Sequence, residues 1–235
     1  MTTKRGARPR VLACGATPRA SRSGLASVVG VVVLAIALSV ALFAGGQKAT
    51  PGATVEIAGH VTVDGNALPV YVAAANDAAQ GRTAPTLRGV GFDGTRVVIA
   101  PSDRPTAVFF LAHWCPHCQA EVPRIVALAR EGTTNGVNVF AVATGTAADR
   151  DNFPPSKWLA REHWPFRVLV DTAGFTAARA YGLSAYPFMV FLDAQGAVVG
   201  RLACEVAPDE LAAVFEALVT GRALPIAGPG ASSGA

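Results

Sequence analysis

The sequence predicts an α/β domain, a central mixed β-sheet flanked by helices, carried behind an N-terminal transmembrane helix. Three observations lead there. The composition, 51% hydrophobic and only 15% charged, is too apolar for a disordered chain and supplies enough side chains for a core. Residues 25–44 contain no charged side chain, and about 20 residues at roughly 1.5 Å each span a ~30 Å hydrocarbon layer. From Pro85 onward, short apolar runs alternate with amphipathic segments, the pattern of a sheet covered by helices.

Residues 1–24 form a basic tail holding Lys4, Arg5, Arg8, Arg10, Arg19 and Arg22 with no acid. Without these six, 14 of the 20 basic residues face 16 acids, so the rest of the chain is mildly acidic. The charge reads as a cytoplasmic retention signal, which places everything after residue 44 outside the cytoplasm, at the cell membrane as a single-pass protein. It forms no patch suited to nucleic acid. A cleaved signal peptide is the alternative, through the small-residue site Ser39-Val40-Ala41, but the apolar run exceeds the usual length of about 7 to 15 residues.

Residues 45–84 read as a linker. It opens with the Gly/Pro-rich stretch 45–52 and continues as a small β-hairpin, 55–63 and 67–72, around the Asp64-Gly65 turn. The main domain is expected at 85–223. Residues 106–112 (TAVFFLA) make a strand buried on both faces, 116–130 a helix, 137–143 a strand, 156–162 a short helix and 166–170 a strand. A short helix at 175–181 ends at Gly182. The runs 188–192 and 197–203 form an antiparallel pair about the turn 193–196, and Pro208 and Gly221 frame a last helix over 208–220. Residues 224–235 are expected to be a disordered tail. Strand, helix, strand, helix, hairpin and helix in this order is the thioredoxin-like fold.

Of four cysteines only Cys115 and Cys118 have a spacing that suggests chemistry. Trp114-Cys115-Pro116-His117-Cys118 sits where a buried strand hands over to a helix. The unpaired N–H groups of a helix start favour a thiolate at Cys115, and His117 can hydrogen-bond to that sulfur or attract it as an imidazolium. One helical turn brings Cys118 beneath Cys115, so the first attacks a disulfide and the second resolves the mixed disulfide. Half of a zinc site is the competing reading, and it lacks a second pair of ligands at matching spacing.

These residues resemble the membrane-anchored thioredoxin-like oxidoreductases of the TlpA/ResA group over residues 85–217. The carriers are the lead-in Ala84-Pro85-Thr86-Leu87 with Phe92-Asp93-Gly94, the Trp-Cys-x-x-Cys-x-x-Glu-x-Pro pattern from Trp114 through Glu121 and Pro123, and Tyr181-Gly182, Pro187 and residues 193–196. The resemblance implies a cis-proline at Pro187 that exposes the backbone of Tyr186 as a substrate clamp, with Trp114 beside it. It implies a proton-handling role for Glu121, whose alternative is a solvated helix carboxylate. Phe109 stands where thioredoxin has a buried aspartate, Pro116-His117 is the inner pair of the oxidising DsbA enzymes, and Tyr186 replaces a smaller residue. His113 either adds to the local field or fills the rim, and Cys204 is a small buried filler or a regulatory thiol.

The expected function is exchange of the Cys115/Cys118 dithiol with disulfides of exported proteins, with a membrane redox partner and no cofactor or metal. Reduction is slightly favoured and DsbA-like oxidation is the alternative. A metallochaperone is a further reading, without a methionine- or histidine-rich ligand set. A peroxidase frame fails at Val108 and Ala112.

Overall fold

The computed structural model describes residues 54–226. The basic tail, the expected anchor at 25–44 and most of the C-terminal tail lie outside the described residues. Among the described residues no helix is long and apolar enough to cross a membrane.

Two sheets make up the fold. The larger consists of β4 (Thr106–Leu111), β5 (Asn138–Ala143), β6 (Arg167–Val170), β7 (Phe188–Leu192) and β8 (Val198–Leu202), in the order β6-β5-β4-β7-β8. Parallel pairing joins β4, β5 and β6, and antiparallel pairing joins β4, β7 and β8, so the sheet is mixed as expected. The smaller sheet is antiparallel, with β1 (Thr62–Asp64), β2 (Thr86–Val90) and β3 (Arg96–Ile99) in sequence order. Helices α1 (Pro116–Arg130), α2 (Pro155–Arg161), α3 (Thr176–Ala180) and α4 (Pro208–Thr220) complete the domain.

Every residue of β4 is buried, because the strand lies in the middle of the sheet with a core on each face. Phe109 and Leu111 join Val122 and Ile125 of α1 and Val214 and Phe215 of α4 on one side, while Val108 and Phe110 join Leu87, Ile99 and Tyr181 on the other. This alternation is the period-2 geometry of a strand serving two layers. Phe109 meets Trp164, Phe191 and Phe215 edge-on or tilted, so the place of thioredoxin's aspartate is apolar here.

The expected hairpin between residues 55 and 72 does not form. The chain turns at Asp64-Gly65, but β1 pairs with β2, and residues 67–72 contain no strand. Pro69 has no N–H to give to a ladder, and the neighbouring groups are taken elsewhere. Leu68 donates its N–H to Ala180 O, Tyr71 donates to Gly182 O, and Arg201 Nη1 donates to Pro69 O at 2.8 Å. Ala58, Val61, Leu68 and Tyr71 pack in the same core as Phe110, so the packed domain starts well before the expected boundary at Pro85. Its end also differs from expectation. Leu224 and Ile226 pack against the core, and a Cβ on Gly200 would lie 2.2 Å from Ile226 Cδ1, so residues 224–226 dock on β8 rather than opening a free tail.

Candidate active site

The buried strand β4 delivers the chain to the N-terminus of α1. Cys115 is the N-cap residue, extended at φ −79° and ψ 118°, and Pro116 follows at the first helical position, where its fixed φ suits a helix and its missing N–H costs nothing. The Cys115 carbonyl accepts the Gln119 N–H at 3.1 Å, while the amides of Cys118 and His117 in the first turn act on its sulfur. Cys115 is 6% exposed and Cys118 0%, and both are free thiols.

The surroundings drive the two thiols apart in acidity. The Cys118 thiol donates to Cys115, and the amides of Cys118 and His117 and the His117 charge add to it against burial, so the Cys115 pKa is lowered to about 6. Cys118 is pushed far up, by burial first and then by the neighbouring Cys115 sulfur. A thiolate therefore resides at Cys115 near neutral pH while Cys118 keeps its proton.

Across the cleft the Tyr186-Pro187 bond is cis, and Tyr186 O lies 3.8 Å from Cys115 Sγ. The Tyr186 ring meets Trp114 edge-on at 5.8 Å, and Trp114 Nε1 donates to Gly145 O at 2.7 Å. Gly145 has φ +64°, and a Cβ there would lie 2.8 Å from the Tyr186 hydroxyl, so the larger aromatic at 186 is accommodated by a glycine opposite it.

Glu121 lies on α1 one turn beyond Cys118 and is 0% exposed, which excludes the solvated-carboxylate reading. Its Oε2 accepts the Val206 N–H at 3.1 Å and Arg124 Nη1 at 3.2 Å, while Oε1 has no partner. Burial raises its pKa to about 7 in spite of that amide and the Arg124 charge.

His117 is open to solvent, its side chain 67% exposed, and its Nδ1 lies 2.5 Å from Glu205 Oε1. The bond to Glu205 raises the imidazole pKa, and the negative sulfur of Cys115 adds to the effect. Of the two ways in which His117 could act, the ring's bond goes to Glu205, and charge alone reaches Cys115. His113 is neither a field source nor rim filler. It is buried, Nδ1 lies 2.7 Å from Asp151 O and Nε2 accepts the Ala147 N–H at 3.2 Å, so the ring pins the loop after β5. Cys204, expected as a buried filler, is half-buried in the bend after β8 and is not a free thiol.

The structure thus gathers Trp114, Cys115, Pro116, His117, Cys118, Tyr186 and Pro187 around one cleft, with Glu121 behind the second sulfur. Sequence reasoning missed Arg124 and Glu205. Arg124 was within reach of helical spacing, three residues after Glu121. Glu205, 88 residues from His117, carries no local signal.

A family model described as Redoxin matches residues 65–215, well over half of the chain. "Thiol:disulfide interchange protein DsbE" of Pseudomonas aeruginosa is 28% identical over 120 residues, which cover 49% of this chain and 62% of that protein, so the match spans less than two thirds of it. "Soluble secreted antigen MPT53" of Mycobacterium tuberculosis is 29% identical over 140 residues, 59% of this chain and 75% of the relative. Among solved structures, a thiol:disulfide interchange protein of the thioredoxin family from Chlorobium tepidum superposes with a TM-score of 0.51 at 21% identity. It covers 60% of this chain and 98% of that one, and shares the fold. Sheet order, paired thiols and family match converge: the chain belongs to the Redoxin family and is of the thioredoxin-fold thiol-disulfide oxidoreductase type.

Proposed function

We propose that this chain works outside the cytoplasm, tethered by residues 25–44, and reduces disulfides of exported proteins through Cys115 and Cys118. The carrying observation is the split between the two thiols, with Cys115 lowered to about 6 and Cys118 fully buried and protonated. The extracytoplasmic placement is supported by the uncharged run at 25–44 behind a basic tail, and by relatives whose names include a secreted antigen.

The Cys115 thiolate attacks one sulfur of a client disulfide, forming a mixed disulfide and releasing the client's other sulfur as a thiolate. The Tyr186 carbonyl, beside the attacking sulfur, is open to a strand-like bond with the client backbone, and Trp114 walls the cleft. Glu121 as carboxylate takes the proton from Cys118, which lies one turn away on the same helix face. The Cys118 thiolate then attacks Cys115, closing the Cys115–Cys118 disulfide and freeing the second client thiolate. Two electrons pass from the protein dithiol to the client, and a membrane thiol-carrying partner returns them.

Acidity supports the reducing direction. A Cys115 pKa near 6 lies closer to the ~7 of thioredoxin than to the ~3.5 of DsbA. The oxidising alternative draws on the Pro116-His117 pair. Equilibration with glutathione separates the two, since thioredoxin stands near about −270 mV and DsbA near about −120 mV. A value at the DsbA end would overturn the reductase assignment. For the exchange itself, Cys118→Ala should accumulate a mixed disulfide at Cys115 that mass spectrometry identifies, and its absence would overturn it.

A further inference from the structure

We propose that Glu205 is a positioning residue for the cysteine pair, acting through the His117 ring that it holds at the helix terminus. The inference rests on the exchange reading of Cys115 and deepens it by naming the group that sets the charge beside the nucleophile. Glu205 stands in the connection between β8 and α4, far from α1 in sequence but in contact with it. One carboxylate oxygen lies 2.5 Å from His117 Nδ1, and the other accepts Arg124 Nη1 at 2.9 Å. Arg124 also reaches Glu121 at 3.2 Å. A chain of alternating charge, His117, Glu205, Arg124, Glu121, therefore runs from the exposed lip of the site to the buried carboxyl behind Cys118.

Among the described residues, the charged and titratable groups around this chain are Cys115, His117, Cys118, Glu121 and Arg124 at α1, Glu205 before α4, and Tyr186 before β7, which faces the cysteine pair. A carboxylate on Nδ1 keeps the imidazole protonated above the pH at which a free one would lose its charge. It also fixes where the charge sits. Nδ1–H is committed to Glu205, so the ring assists the Cys115 thiolate as a nearby cation rather than as a hydrogen-bond donor.

The test compares the reduced full chain with Glu205→Gln, Glu205→Asp, His117→Ala and the His117→Ala/Glu205→Gln double variant. His117 is titrated by NMR and Cys115 by ultraviolet thiolate absorbance. In Glu205→Gln the His117 midpoint should fall toward that of a free histidine, and the Cys115 acid constant should weaken about threefold to tenfold, a tenfold change in the exchange equilibrium being about 30 mV toward the reducing side. Glu205→Asp, which keeps the charge, should restore most of both. In the His117→Ala background the Gln substitution should leave Cys115 where it is. An unmoved His117 midpoint, or a Cys115 shift that persists in the double variant, overturns the inference. Should Glu205→Gln fail to fold, salt supplies the second measurement: on the unaltered chain, moving from low to molar salt should lower the His117 midpoint, and an unchanged midpoint overturns it. None of these titrations depends on turnover, so a missing Cys115 adduct with clients would count against the exchange reading alone.

Discussion

Three titratable side chains at the start of α1 are held in different states by their burial and their nearest partners. Cys115 keeps its charge because amides and a thiol point at its sulfur, whereas Cys118 and Glu121, deeper in the core, are pushed toward their neutral forms. Glu121 matters most for turnover because burial brings its pKa to about 7, where it can both accept and return a proton. It is the carboxylate, present above that value, that can take the Cys118 proton. Resolution of a preformed mixed disulfide should therefore speed up as pH rises through about 7. Glu121→Gln should remove that rise and slow the step by about 10²-fold, measured as stopped-flow release of client thiol. A Gln variant with an unchanged pH profile would place the proton acceptor elsewhere.

At the scale of elements, the strands and helices from β4 onward follow from the sequence, and the segment before them does not. Continuous apolar runs mark β4 and β7 because strands buried on both faces need no alternation. Pro at N1 and Gly221 in the left-handed region at φ +66° mark both ends of α4. By contrast, residues 67–72 look like a hairpin arm but fold, with the stretch as far as Asp77, as a strap, because their partner is a buried arginine 124 residues beyond Asp77. Arg201 gives Nε and Nη2 to the two Asp77 oxygens, Nη1 to the carbonyls of Pro69 and Tyr181, and lies over the rings of Tyr71 and Phe188. Tertiary pairing of this kind leaves no local pattern, and the same is true of Glu205 with His117. Burial opposes the charge of Asp77, yet Arg201 outweighs it and holds the carboxyl below its ordinary range. Asp77→Asn would leave the guanidinium buried beside a neutral group, and should lower unfolding stability by about 3–5 kcal/mol in a denaturant titration. A loss within a few tenths of that of a surface substitution would show that the strap contributes little to the fold.

For the whole molecule, the depressed Cys115 pKa links folding, pH and redox state. In the folded dithiol form the group titrates at about 6, against an ordinary thiol value of 9.0 when unfolded. Between those values the unfolded chain binds more protons than the folded one, so this group's contribution to stability grows with pH from about 6 and is complete above 9. It is lost as pH falls through the folded value. The disulfide form has no such thiol, and in it the contribution is absent at every pH. The stability of the reduced protein relative to the oxidised one should therefore rise between pH 6 and 9, by about 1–3 kcal/mol once solvent screening is allowed for. Cys118, also a thiol only in the reduced form, is raised and opposes the effect once pH passes the ordinary thiol value, while the raised groups Glu121 and His117 are present in both redox forms and largely cancel in the difference. Paired urea titrations of the reduced and oxidised chain across this range would measure it. A difference that stays flat with pH would mean that Cys115 titrates as an ordinary thiol, and with it would go the basis for assigning it the attack on client disulfides.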